Sequence, residues 1–142
     1  MAALWLKPGR EKSVQQRRPW IFSGAIDHLE GDPGAGETVA VYAADRTPLG
    51  WAAYSPQSQI RARIWSWDSA EKIDPEFFRR RIRSALARRN ALNLEPQTTA
   101  CRLVHAESDG LPGLVVDRYA DVLVIQFLSA GAEHWRSVII DV

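Results

Sequence analysis

The sequence predicts an α+β protein in two parts: a mostly-β module up to residue 67, then a helix, a β-hairpin and a second helix. Three observations carry this. Short strand-like runs recur at roughly 10-residue spacing between turn signals in the first part. At Asp74-Pro75-Glu76 the apolar period changes to that of a helix. Tyr119-Ala120-Asp121 then separates two further apolar, β-branched runs.

Residues 3–7 (ALWLK) alternate loosely and form a short strand before Pro8-Gly9. Residues 10–17 suit one or two helical turns, which Pro19 interrupts, pushing Arg18 towards an extended shape. Trp20, Ile21 and Phe22 lead to Ser23-Gly24, and residues 31–36 (GDPGAG) are a turn-rich loop. Thr38–Ala43, Leu49–Tyr54 and Gln59–Trp65 read as strands, so this part is a small β-barrel or sandwich.

From Asp74 onwards Phe78, Ile82, Ala85, Leu86 and Leu92 share a helical stripe, and Pro96 ends the segment. Arg80 and Arg83 project from the opposite side, Arg79 lies at its edge, and Arg81 and Arg88 flank the stripe. Residues 102–106, 113–118 and 122–128 read as strands. A second helix begins at Gly131, with Trp135, Val138, Ile139 and Val142 on one face. Val142 falls inside that stripe without a C-cap glycine, so the chain reads as a fragment. The stripe is expected to be exposed and to drive self-association.

An apolar content of 46% with 25% charged residues supports a packed core, and 142 residues suit one ordinary domain or two small ones. The single Cys101 excludes a disulfide framework and a cysteine-based metal site, which points to a reducing cytoplasm. The N-terminus lacks a signal-peptide apolar region, and no run reaches the roughly 18 residues that cross a bilayer. A soluble protein without a membrane partner is expected.

The net charge of +1 hides an asymmetry. Lys7, Arg10, Lys12, Arg17 and Arg18 face only Glu11 within residues 1–26, a net +4. Six arginines face only Glu76 within residues 75–94, a net +5, whereas residues 95–142 carry −4. Segregated positive charge is a footprint for a polyanion, with solvated basic faces as the plainer alternative.

Lys7, Arg10, Lys12, Arg17 and Arg18 are candidate phosphate contacts, the type that dominates nucleic-acid affinity without reading sequence. Ser23 and Gly24 adjoin them, and Gly24 lets a backbone approach RNA closely. Trp20 and Phe22 read as core residues. Arg61 and Arg63 share one face of a strand and either extend the phosphate surface or pair with acids on a neighbouring strand. Arg79, Arg80, Arg81 and Arg83 read mainly as a solvated helix face.

The acidic run 107–113 (ESDGLPG) consists of turn pairs and lacks the oxygen ligands at fixed spacing that calcium loops need, so no metal site is expected. His28, His105 and His134 have no partners at motif spacing. No HExxH, GxSxG or GxxxxGK[ST] occurs, and residues 31–36 are not a dinucleotide fingerprint. Nothing near Cys101 suggests a base. On the residues alone the chain is a basic RNA-binding module attached to part of something else, with no catalytic residue.

Five motifs go further: residues 9–13 (GREKS), 19–26 (PWIFSGAI), 53–56 (AYSP), 58–63 (SQIRAR) and 107–114 (ESDGLPGL). From Lys7 to about Arg136 the chain resembles the bacterial large-subunit ribosomal RNA cytosine-5 methyltransferases, which use S-adenosylmethionine. The resemblance implies that residues 1–68 are a PUA domain, an RNA-binding β-pseudobarrel. It implies that residues 74–142 begin a middle α+β domain, truncated after its helix, hairpin and partial second helix, without the C-terminal Rossmann-like domain. The parent would methylate carbon 5 of a cytosine using S-adenosylmethionine, while this chain would bind rRNA but no cofactor. DNA is not expected as a partner, and a homodimer is left open.

Arg18 stands where the family has His or Tyr, and Ala106 where it has Gly; the second departure bears on a turn. The family's cofactor loop, Asp-Pro-Pro motif and catalytic Cys have no counterpart, and Cys101 does not match the last. Two rivals remain: a stand-alone RNA-binding PUA protein, against which the interrupted stripe argues, and part of a different RNA-modifying enzyme, against which the match at residues 102–128 argues.

Overall fold

Alternation along the first strands puts Leu4, Leu6, Val39, Val41, Ala52 and Ile64 on the same side, and the sheet they build curls around them into one buried cluster. The computed structural model describes residues 1–93 and 98–142; Pro96 lies outside the described residues. The curled sheet comprises β1 (Ala3–Leu6), β2 (Trp20–Phe22), β3 (Ile26–Glu30), β4 (Thr38–Tyr42), β5 (Pro48–Tyr54) and β6 (Ile60–Ser66). Its order is β2-β6-β5-β4-β1-β3, with β1 parallel to β4 and antiparallel to β3. This is the α+β architecture expected, with a six-stranded half-barrel first.

The strands β2 and β3 form the two edges of the sheet and were not anticipated. Pro19 and the 3₁₀ turn Ser23–Ala25 leave β2 only three residues, and β3 carries Asp27, His28 and Glu30. The four-residue helix α1 (Lys12–Gln15) is too short to persist alone. Val14 is buried in the barrel, and Trp67 Nε1 donates to Val14 O at 2.9 Å.

The second part starts with α2 (Pro75–Ala91), whose N-cap Asp74 accepts from Phe77 N–H at 3.1 Å. Its stripe buries Phe77, Phe78, Ile82 and Ala85. Leu92, expected on that stripe, lies past the helix end and is 63% exposed. A three-stranded sheet follows: β7 (Ala100–His105), β8 (Leu114–Tyr119) and β9 (Val122–Phe127), in that order. Ala120-Asp121 turn the hairpin, with Tyr119 paired to Val122.

The expected single second helix is two: α3 (Ala130–His134) and α4 (Arg136–Ile140), broken at Trp135. The break turns Trp135 onto Phe78, ring centroids 4.7 Å apart, and buries Ile139. The stripe is therefore largely covered by α2, and Trp135 and Ile139 give no basis for the self-association expected of it. Val142, the last residue of the stripe, and Ile140 remain exposed, as do Val122, Leu123 and Val124 on β9.

The seam between the two parts is tight. Trp65, on β6, points out of the barrel and meets Phe77 and Phe78 edge-on, with centroids at 6.3 and 5.2 Å. Gly131 of α3 lies so close that a Cβ there would stand 2.4 Å from Ala53 Cβ and 2.7 Å from Trp65 Cζ2, so only glycine fits.

Candidate nucleic-acid interface

The pairing of β2 with β6 sets the site. Trp20 lies opposite Arg63 and Ile21 opposite Ala62, so Ile21 takes the inner position and its neighbours face outwards. Trp20 is 44% and Phe22 52% exposed, which corrects the expectation that they are core residues. A three-residue strand with one inward position has room for only one of its apolar side chains inside.

Two grooves flank this aromatic pair. One, of about 420 Å³, is lined by Arg10, Lys12, Gly24 and both aromatics. The other, of about 580 Å³, is lined by Ser13, Arg18, Pro19, Glu107 and the same two rings. Lys7 joins the first side, its Nζ donating to Gly24 O at 3.3 Å. Nothing stands within 4 Å of where a Gly24 Cβ would lie, so this backbone is open to a ligand. Ser23 is held by Gln59, just before β6, its N–H donating to Gln59 O at 2.9 Å and its hydroxyl to Gln59 Oε1 at 3.1 Å.

The other candidates do not line these two grooves. Arg17 adopts a positive φ of 63° and lays its guanidinium over Trp67, 5.4 Å from the ring centroid. Arg61 Nε donates to Ser58 O at 3.1 Å. Arg63 lines a third groove with Ser55, Pro56 and Leu128; burial lowers its pKa, and the charge of Glu107 opposes that shift. Arg63 thus answers an acid from the second part of the chain. The structure brings Lys7, Arg10, Lys12 and Arg18 together around Trp20 and Phe22 and sets Arg63 beside Trp20 across the β2–β6 pair, but it does not bring Arg17 or Arg61 there.

Sequence reasoning missed Glu107. It reaches across from a 3₁₀ turn over Ala106–Asp109, and Trp20 Nε1 donates to its Oε1 at 2.8 Å. Both residues lie in recognised motifs, but no spacing rule joins positions 87 apart.

The rest of the acidic run is structural. Asp109, its side chain 2% exposed, receives Arg89 at 2.7 and 2.8 Å, Arg88 at 2.6 Å and His105 N–H at 2.7 Å. Burial alone pushes its carboxyl up, but the hydrogen bonds from Arg89, Arg88 and His105 prevail and hold it at about 2. Among the described residues no group of three or more His, Cys, Asp or Glu is placed to hold a metal ion.

Ala106, the departure noted in the sequence, sits at φ 42°, in the left-handed region that glycine tolerates freely. Ala106→Gly is expected to stabilise the fold by about 0.5–1 kcal/mol, relief of strain exceeding the added chain entropy. Thermal unfolding of both proteins checks this, and an unchanged or lower midpoint would contradict it.

The arginines of α2 are mostly committed within the chain. Arg79 lies 3.7 Å from Glu76, while Arg80 and Arg81 both reach Glu71 and lie over Phe77. Arg83 is exposed. The glycine-rich loop 31–36 runs from β3 into β4 and not into a helix, so it presents no helix N-terminus to an anionic group. No described helix is long and apolar enough to cross a membrane.

Comparison with known proteins agrees with this architecture. Residues 4–67 match the PUA-like domain family. Proteins named ribosomal RNA large subunit methyltransferase I are similar over nearly the whole chain. That of Shewanella amazonensis is 54% identical over 96% of this chain and 35% of its own length. That of Shewanella frigidimarina is 55% identical over 96% and 34%, and that of Aliivibrio fischeri 48% over 98% and 35%. The chain spans about a third of the length of these relatives. A Streptococcus mutans structure described as a SAM-dependent methyltransferase superposes with TM-score 0.85 at 20% identity, over 99% of this chain and 36% of that one. A methyltransferase complexed with SAH gives 0.84 at 21% identity, over 99% and 36%. At that identity the likeness is one of fold. Residues 4–67 of the chain are thus a PUA-like domain, and nearly the whole chain is similar to about one third of the proteins named ribosomal RNA large subunit methyltransferase I.

Proposed function

We propose that this chain is the RNA-holding part of a cytoplasmic, S-adenosylmethionine-dependent enzyme that methylates carbon 5 of a cytosine in large-subunit rRNA. Residues 1–68 are the RNA-binding PUA unit in this reading, and residues 74–142 open the middle domain. The observation that carries it is the face where Lys7, Arg10, Lys12 and Arg18 surround two exposed aromatic rings. Cationic side chains there bind the phosphate backbone, and the open backbone at Gly24 lets it approach. Ser23 shapes that approach, while Arg17, Arg61 and Arg63 contribute at its margin through long-range charge.

The chemistry rests with the rest of the protein. Holding a reactant in place makes a bimolecular step effectively unimolecular and lowers its barrier by several kcal/mol. The test uses the whole protein with methyl-labelled S-adenosylmethionine and large-subunit rRNA lacking its modifications. Nucleoside analysis is expected to find the label in 5-methylcytidine. Label in another nucleoside contradicts the cytosine assignment, and no label in this rRNA, with label in transfer RNA offered in a parallel reaction, contradicts the substrate.

A further inference from the structure

The aromatic pair on β2 has a chemistry that the basic residues do not explain. Phosphate contacts need cations, yet the middle of this face is Trp20 and Phe22, both about half exposed. Their rings emerge from one side of an edge strand, and side chains two residues apart on a strand stand about 7 Å from each other. That is roughly twice the 3.4 Å rise of stacked bases, which leaves room for one base. Trp20 is also fixed in orientation, its indole N–H committed to Glu107 at 2.8 Å, so the ring face is presented while its polar edge is satisfied. Grooves open on both sides, with Arg10 and Lys12 along one and Arg18 with Glu107 along the other.

We infer that Trp20 and Phe22 form a stacking platform for one unpaired RNA base, whose flanking phosphate runs along the basic groove of Arg10 and Lys12. Charge complementarity favours this occupant over an apolar protein segment, because Lys7, Arg10 and Lys12 border the rings along one groove with no acid among the described residues lining it. Every base has a π-face, so such a platform tolerates sequence and selects single-stranded or flipped-out nucleotides. The inference rests on the proposed RNA-binding reading and adds the class of RNA element recognised.

The test uses the chain as it stands and short single-stranded RNAs carrying 2-aminopurine at each position in turn, whose fluorescence falls when the base stacks. An abasic oligomer and inorganic polyphosphate serve as charge-only probes. The fluorescence is expected to drop at one position on binding, and the abasic oligomer to bind more weakly. Trp20→Ala and Phe22→Ala are each expected to weaken RNA binding by about 5- to 100-fold and abolish the drop. The salt slope should stay unchanged, since no cation is lost. Trp20→Phe, which loses the bond to Glu107 but keeps a ring, should retain the drop.

RNA binding without any fluorescence change, or equal affinity for the abasic oligomer, overturns the platform and leaves the phosphate-binding reading standing. Unchanged RNA affinity in the alanine variants does the same and assigns the rings to a protein partner. No binding of RNA or polyphosphate at low salt overturns both readings.

Discussion

Trp65→Ala is expected to destabilise the protein by about 3–5 kcal/mol, with loss of structure in both parts of the chain together. Trp65 is 1% exposed and lies on a barrel strand, yet its ring packs edge-on against Phe77 and Phe78 of α2. Removing it opens a cavity at the seam that Ala53 and Gly131 are too small to fill. Its indole N–H is buried without a hydrogen-bond partner. Trp65→Phe therefore deletes an unsatisfied donor along with part of the ring, and its cost should stay below about 1.5 kcal/mol. Urea unfolding followed by far-ultraviolet circular dichroism and by amide NMR in both parts measures this. Selective loss of α2 with the barrel intact would contradict the shared core.

Asp109→Asn is expected to cost about 2–3 kcal/mol at neutral pH, because it leaves Arg89 and Arg88 without their carboxylate. The effect depends on pH in a defined sense. The folded pKa is about 2 against an ordinary 3.8, so the carboxylate's contribution is complete above about pH 5. It is lost as the pH falls from about 4 to about 2 and amounts to about 2 kcal/mol. The wild-type protein should therefore lose stability over that window more steeply than Asp109→Asn. Equal slopes would show that the ion pairs with α2 carry no net stability.

Much of the architecture was legible because local rules governed it. Asp74-Pro75-Glu76 began α2 where the cap chemistry requires, and the β-branched runs formed β4, β7, β8 and β9 within one or two residues of their expected bounds. The misses have physical causes. β2 is a three-residue strand between Pro19 and a 3₁₀ turn, too short for periodicity to register, and the role of its aromatics depended on Ile21 taking the inner position. The helix through Trp135 read as continuous, but Trp135 docks on Phe78, a contact that no spacing reports. The positive charge of α2 looked like a second polyanion footprint, but Glu71 and Asp109 from outside the helix pair with four of its arginines, and Glu76 in its first turn with Arg79. Of the candidate site, the cations around residues 7–18 were legible as a cluster in sequence. The junction of Trp20 with Glu107 appears only in the folded chain.

The central claim is that RNA lies on the Trp20–Phe22 face and not along α2. Filter binding of large-subunit rRNA fragments across a salt series tests it most directly. It compares Lys12→Glu/Arg18→Glu with Arg79→Glu/Arg83→Glu, each pair checked as folded by circular dichroism. Both pairs change the net charge equally, so diffuse electrostatics alone would weaken binding to the same extent. Loss of two phosphate contacts should lower affinity about ten-fold or more for the first pair and reduce the salt slope by about two units. The second pair should lose much less and keep its slope. Equal losses would mean that only bulk charge matters, and a greater loss from the α2 pair would place the RNA on the opposite face.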